Sequence, residues 1–289
     1  MLTIMPASSR LMHHAHHAHH AARAAGALAL FALLHGSAAA QSAGSADDTI
    51  ATDRPDFVES SVVVGKGRVQ IETSVAYERS VRDGVRERAT STPTLLRFGV
   101  ADTLELRVET DGRVHNWVRA ADHSLDSDAS GMADTSLGVK WHVRDGDEQR
   151  GMASLGVLLH VDLPSGARAV RADGPRPSLR GVAEWELPQD FSLGVMPGVA
   201  SERNDDGRRF TSGIFAVVLG KEFAPGWRGF VEVSAPRIAH AVDGGSQLSF
   251  DLGAAWVLNR RCQVDAALSR GLNRHTADLA VTVGLSVKL

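Results

Sequence analysis

Apolar residues alternate with small or polar ones along most of the chain after Gly67. The last segment shows the pattern in full. Leu279, Val281, Val283, Leu285, Val287 and Leu289 are apolar, and Asp278, Ala280, Thr282, Gly284, Ser286 and Lys288 between them are small or polar. A period of two puts successive side chains on opposite faces of a β-strand. The same period sets Val69, Ile71, Val75 and Tyr77 against Gln70, Glu72, Ser74 and Glu78, and Leu104, Leu106 and Val108 against Glu105, Arg107 and Glu109. It sets Leu137, Val139, Trp141 and Val143 against Ser136, Gly138, Lys140 and His142. Leu155, Val157, Leu159, Val161 and Leu163 oppose Ser154, Gly156, His160 and Asp162, and Leu248, Phe250, Leu252, Ala254 and Trp256 oppose Ser249, Asp251, Gly253 and Ala255. Further strands are expected near residues 91–100, 178–187, 191–201, 210–223, 227–235 and 262–271, with the alternation weakest at 210–223.

The connections alternate as well. Residues 80–90, 110–133, 164–177, 202–209 and 236–246 read as long, and 101–103, 144–149, 188–190, 224–226 and 259–261 as short. A membrane barrel places short turns in the periplasm and longer loops outside. The pattern therefore predicts an all-β fold: a transmembrane antiparallel up-and-down β-barrel of about 12 strands, closed so that no strand edge is left unpaired. Trp141, Trp185, Trp227 and Trp256 fall near predicted strand ends, where interfacial aromatics belong. Aromatic residues make up only 5% of the chain, so the girdle is thin.

Composition agrees with that class. The chain has 289 residues, 22% of them charged, and a formal net charge of -3, which gives no basic footprint for nucleic acid. Mean hydropathy is -0.10, and no internal run reaches the ~18 apolar residues of a membrane helix. A barrel is compatible with both, because the lumen half of each strand dilutes the apolar half.

Residues 1–40 read as a cleavable signal peptide. Arg10 and Arg23 supply positive charge, no acid precedes Asp47, the apolar stretch Ala24–Leu34 is too short to span a bilayer, and Ala38, Ala39 and Ala40 suit cleavage before Gln41. Met12 offers an alternative start. The run His13, His14, His16, His17, His19 and His20 invites a metal reading, but it precedes the apolar stretch and leaves with it, as a low-complexity leader would. The single cysteine, Cys262, excludes an internal disulfide and sits on a predicted apolar face. No cysteine lies at the cleavage site to carry a lipid. The expected organisation is a signal peptide over 1–40, an N-terminal extension over 41–66 acting as tether or plug, and a barrel over 67–289 in the bacterial outer membrane.

Several segments carry a family resemblance. They are Thr52-Asp53-Arg54-Pro55-Asp56-Phe57-Val58-Glu59-Ser60-Ser61, Gly67, Gln70-Ile71-Glu72, Pro93-Thr94-Leu95-Leu96-Arg97-Phe98-Gly99, Leu104-Glu105-Leu106-Arg107, Gln263-Val264-Asp265 and Gly271-Leu272-Asn273. In this order they resemble the outer-membrane transporters labelled "MetA-pathway of phenol degradation", over roughly residues 50–289. The resemblance implies a barrel and the passage of small, including aromatic or other hydrophobic, molecules. The C-terminus is similar to a barrel-assembly signal through Thr282, Gly284, Val287 and Leu289, which implies the assembly machinery as a partner beside membrane lipid and a small solute. Leu289 stands where that signal usually has an aromatic residue.

The predicted polar faces carry Glu72, Arg97, Glu105, Arg107, Glu109, Lys140, His142, His160, Asp162, Glu184, Glu232, Asp251, Asp265 and Lys288. Two readings stand. These charges form an ion-pair network that holds the strands in register, or they line a permeation path and set its selectivity. Asp53-Arg54-Pro55-Asp56 is the densest charged stretch before the first strand. It reads as a plug whose Arg54 and Asp56 pair with lumen charges (Glu72, Glu105 or Asp265 for Arg54), or as a turn that ties the N-terminus to the barrel base. Catalysis has little support, since neither Gly-x-Ser-x-Gly nor HExxH occurs. A barrel enzyme acting on lipids, with His115 or His123 near Ser124, Ser127 and Ser130, is the alternative, together with a purely structural barrel. Asp122, Asp126 and Asp128 lack the spacing of a Ca²⁺ loop. No metal or cofactor is expected.

Overall fold

The computed structural model describes residues 49–289 except 125 and 205. The signal peptide, its cleavage site and the histidine run lie outside the described residues. Fifteen β-segments form one antiparallel sheet. In chain order they are β1 Val69–Arg82, β2 Val85–Ser91, β3 Thr94–Ala101, β4 Leu104–Thr110, β5 Arg113–Ala120, β6 Ser127–Met132, β7 Thr135–Arg144 and β8 Ser154–Leu163. They continue as β9 Arg176–Leu187, β10 Phe191–Arg203, β11 Arg209–Ala224, β12 Trp227–Ile238, β13 Gln247–Asn259, β14 Cys262–Gly271 and β15 Leu279–Lys288. Pairing of β1 with β15, from Gln70 opposite Lys288 to Arg79 opposite Leu279, closes the sheet.

Three pairs of segments are halves of single bent strands. β3 pairs the lower part of β1 and β2 its upper part, with the break at Thr92-Pro93, where proline has no N–H to give a ladder. β4 and β5 break at Asp111-Gly112, and β6 and β7 at Ala133-Asp134. Counting each pair once gives a closed barrel of twelve strands. The free side of β6 is covered by the loop before β9, through the Ala167 N–H bonded to Met132 O at 2.8 Å.

The outward face is apolar, as the alternation requires. In β15, Val283 is 60% exposed and Leu285 43%, whereas Thr282 between them is 4% exposed and faces the lumen. Trp141, Trp185, Trp227 and Trp256 all sit at the end that carries the tight turns, and Trp227 stacks on Trp256 at 4.8 Å.

Two expected long loops are strands instead. Over residues 80–90 the chain continues as β1 and β2 around Asp83-Gly84, with φ of 49° and 81°, the left-handed pair that suits a two-residue hairpin. Residues 110–133 are largely β5 and β6, which meet at a short connection over 121–126. These strands stand beyond the apolar band and are rich in charge, so their ladder continues while the hydrophobic period stops. Alternation in hydropathy reports burial, not backbone conformation. Around 210–223 the reason is the reverse. Ile214, Ala216 and Val218 face inward and are buried, so both faces are apolar. They join Leu158, Val182, Met196 and Phe230 in an apolar sector of the lumen.

Candidate functional site

Residues 50–64 lie inside the barrel. The Ile50 N–H is bonded to Arg260 O at 2.8 Å, in the tight turn between β13 and β14, and the Gly67 N–H to Gly99 O at 2.8 Å beside the turn between β3 and β4. The segment therefore enters and leaves at the short-turn end. It joins no strand ladder, yet its backbone groups are buried and must be satisfied. Wall side chains do this. Carboxylates accept from its N–H groups: Glu72 from Asp53 at 3.0 Å, Glu232 from Phe57 at 2.9 Å and Val58 at 2.8 Å, Glu184 from Ser61 at 2.6 Å, and Glu105 from Val64 at 2.9 Å. Donors serve its carbonyls: Arg97 to Ala51 and Val62, Gln70 to Ala51, and Lys140 to Ser60.

Charge pairs add to this frame. Lys140 Nζ stands 2.6 and 2.8 Å from the two Asp53 oxygens, Arg107 Nη1 at 2.5 Å and Arg97 Nη1 at 3.5 Å. Burial opposes ionisation of Asp53, and the three cations around it supply the compensating charge. Arg54 meets Asp265 at 3.0 Å, Asp56 meets Arg228 at 2.8 Å, and Glu59 meets Arg180 at 2.6 Å and Arg107 at 2.7 Å. Within the wall, Arg97 also bridges Glu72 at 3.0 Å and Glu105 at 2.9 Å, and Arg107 bridges Glu105 at 3.0 Å and Glu109 at 2.8 Å. On the other side of the lumen Val58 packs into the apolar sector, with Phe57 against it. The interior thus has a charged half and an apolar half, and the segment is matched to both. Carboxylates outnumber cations around it, because Glu184 and Glu232 take backbone N–H groups as partners.

Above the segment, on the long-loop side, a small, partly open cavity is lined by Asp53, Arg54, Pro55, Asp56, Glu59 and Glu72 together with wall residues such as Leu95, Glu109 and Asp111.

Of the residues singled out in the sequence, Arg54, Asp56, Glu72, Arg97, Glu105, Arg107, Glu109, Lys140, Glu184, Glu232 and Asp265 come together around the segment. Asp162 and Asp251 do not. Asp162 pairs Arg176 at 3.3 Å, and Asp251 accepts from Ser234 and Ser249 at 2.8 and 3.1 Å. Sequence reasoning passed over Glu59, Arg180 and Arg228. Arg180 shares its face of β9 with Glu184, and Arg228 its face of β12 with Glu232, so strand parity was the available signal.

Residues 52–289 match the sequence model of the family described as "Putative MetA-pathway of phenol degradation". No curated protein matches the sequence. Among solved structures, the COG4313 outer membrane channel from Pseudomonas putida F1 is similar with a TM-score of 0.59 at 13% identity, covering 82% of this chain and 99% of that one. The NanC porin is similar with a TM-score of 0.50 at 9% identity, covering 76% and 100%. At these identities the likeness establishes the fold, which is that of bacterial outer membrane channels.

Proposed function

The chain belongs to the MetA-pathway of phenol degradation family, and on that premise we propose that it is an outer-membrane channel for small molecules, aromatic and other hydrophobic compounds among them. In this reading residues 41–66 are a plug. The observation that carries it is that residues 50–64 occupy the lumen yet are held by side chains alone, without a strand ladder. Such a segment can unseat while the barrel wall stays paired. The lumen charges, Arg54, Asp56, Glu72, Arg97, Glu105, Arg107, Glu109, Lys140, Glu184, Glu232 and Asp265, then serve first as the seat of the plug. Asp162 and Asp251, which stand clear of it, line the route above.

Residues 1–40 are a signal peptide in this reading, and the C-terminal strand ending at Leu289 is the part offered to the assembly machinery. Catalysis on lipids finds no matching geometry among the described residues. His115 stacks on Trp117, His123 bonds Asp126 at an exposed hairpin tip, and the Ser124 hydroxyl donates to Asp122.

Planar-bilayer conductance and liposome swelling, with small aromatic acids and neutral sugars as solutes, test the proposal. Deleting residues 41–62 raises both if the segment is a plug. Unchanged values would reduce it to a periplasmic tether.

A further inference from the structure

Glu109 on β4 and His160 on β8 face the same part of the lumen as Glu59 of the inner segment. His160 is 1% exposed, and neither ring nitrogen has a hydrogen-bond partner. Its Nε2 lies 3.2 Å from a Glu109 oxygen. One ligand atom from each of Glu59, Glu109 and His160 falls within 4.8 Å of the other two. The seat of the imidazole is built into the wall. Gly138 on β7 stands opposite His160, and a Cβ there would fall 1.8 Å from His160 Cδ2, so a larger residue would displace the ring.

We propose that Glu59, Glu109 and His160 bind one divalent ion of the zinc type, and that this ion fastens the inner segment to β4 and β8. One imidazole nitrogen and two carboxylate oxygens suit a first-row transition ion or zinc, with bonds of about 2.0–2.2 Å. The two carboxylates also touch guanidinium groups. Arg107 lies 2.7 Å from Glu59 and 2.8 Å from Glu109, and Arg180 lies 2.6 Å from Glu59. A carboxylate oxygen has two lone pairs and can serve a guanidinium and a metal together. In this half of the lumen Asp53, Glu59, Glu72, Glu105 and Glu109 face Arg97, Arg107, Lys140 and Arg180, an excess of one carboxylate that offsets part of the added positive charge. Such outer contacts also fix the orientation of the ligands. The cavity above the segment reaches both Glu59 and Glu109, which gives the ion a way in. The three ligands come from segments far apart in sequence, which is why no spacing motif announces them.

Zinc is titrated into the purified, untagged full chain by calorimetry, beside His160→Gln prepared in the same way. Any zinc held by leader histidines is common to both and cancels. The wild type should bind one more ion than the variant, with affinity at that site falling by roughly 100-fold or more on substitution, at least the effect of losing a mere supporting contact. X-ray absorption at the zinc edge, taken as the wild type minus the variant so that zinc on the leader histidines drops out, gives the ligands directly: one imidazole and otherwise oxygen ligands are expected. Equal binding by the two proteins overturns the site, as does a shell of two or more imidazoles. So does no binding at all, which would leave His160 packed beside Glu109 with no metal between them.

Discussion

Replacing Asp53 with Asn should unseat the inner segment without harming the barrel. Asp53 is the one residue of the segment that faces Lys140, Arg107 and Arg97 together, and its Oδ1 also accepts the Ser60 N–H at 2.9 Å. Asn keeps the shape and loses the charge. Arg107 then still has Glu59, Glu105 and Glu109, and Arg97 still has Glu72 and Glu105. Lys140 keeps the Ser60 carbonyl, at 2.7 Å, and a neutral amide oxygen, but no carboxylate within ion-pair distance. The cost is therefore close to that of one buried pair broken on one side, about 3–5 kcal/mol. At about 1.4 kcal/mol per tenfold, the lower bound shifts the seated-to-open ratio by roughly 100-fold. The barrel is spared, since its strands pair through their own backbones. Single-channel recording should show longer or more frequent open events, and a glutamate-specific protease should cut after the buried Glu59 sooner, while heat-modifiability gels stay unchanged. Adding Lys140→Met removes the stranded cation and should restore most of the closure. The reasoning fails if Asp53→Asn is as closed and as protease-resistant as the wild type, or if the double variant is no better than the single one.

Arg54→Ala strands Asp265, whose side chain is fully buried, and should loosen the segment by about 3 kcal/mol, read as raised conductance with normal assembly. Val283→Arg should cost roughly 2–4 kcal/mol if the site lies near the bilayer midplane, whereas Thr282→Arg, facing the lumen, should assemble and alter conductance; equal behaviour of the two in heat-modifiability gels would refute the register of β15. At the rim, burial raises the pKa of Asp278, but hydrogen bonds from Arg82 and the Val81 N–H outweigh it and leave the pKa lowered. Its contribution is complete above its unfolded-state pKa and is lost as pH falls through the depressed folded value, so the Val81 amide, bonded to Asp278 at 2.8 Å, should lose hydrogen-exchange protection only in acid.

The barrel was legible because each membrane-facing strand shows its outward face as an apolar period. β15 gave its register directly: Val283 and Leu285 point out and Thr282 points in. The register failed to show where hydropathy carries no contrast. β2, β5 and β6 stand beyond the apolar band, and both faces of β11 are apolar because Val58 packs against Val218 and its neighbours. The strand parity of Glu72, Arg97, Glu105, Arg107, Lys140, Glu184, Glu232 and Asp265 placed them in the lumen. One of their pairings was among the expected ones, Asp265 with Arg54 at 3.0 Å, but the rest were not legible. Pairs such as Asp53 with Lys140, or Phe57 with Glu232, join segments whose contact depends on how the barrel closes, and no local rule of spacing gives that.

The mixture of signs in the lumen has a cause in backbone chemistry. A stretch of chain drawn through a barrel without joining a ladder brings buried N–H and C=O groups that water cannot reach. Each must find a partner, and the partners have to be side chains of the wall. Acceptors for N–H groups call for carboxylates, and Glu72, Glu105, Glu184 and Glu232 fill that role. Donors for carbonyls call for amides and cations, and Gln70, Arg97 and Lys140 fill that one. In this barrel the inner segment therefore accounts for both signs whether or not any charged solute passes. It follows that a uniform ring of one sign, which would mark a selectivity filter, is not the pattern to look for at this level. Removing the segment would leave these groups facing water with their charges intact. Around the vacated space the wall would keep Glu72, Glu105, Glu109, Glu184, Glu232 and Asp265 against Arg97, Arg107, Lys140, Arg180 and Arg228, a mixed wall with a small carboxylate excess, and small cations should permeate it slightly faster than anions of equal size. Reversal-potential measurements on the protein lacking residues 41–62 would read this directly. A preference for anions would mean that the wall cations, not the surplus carboxylates, face the path.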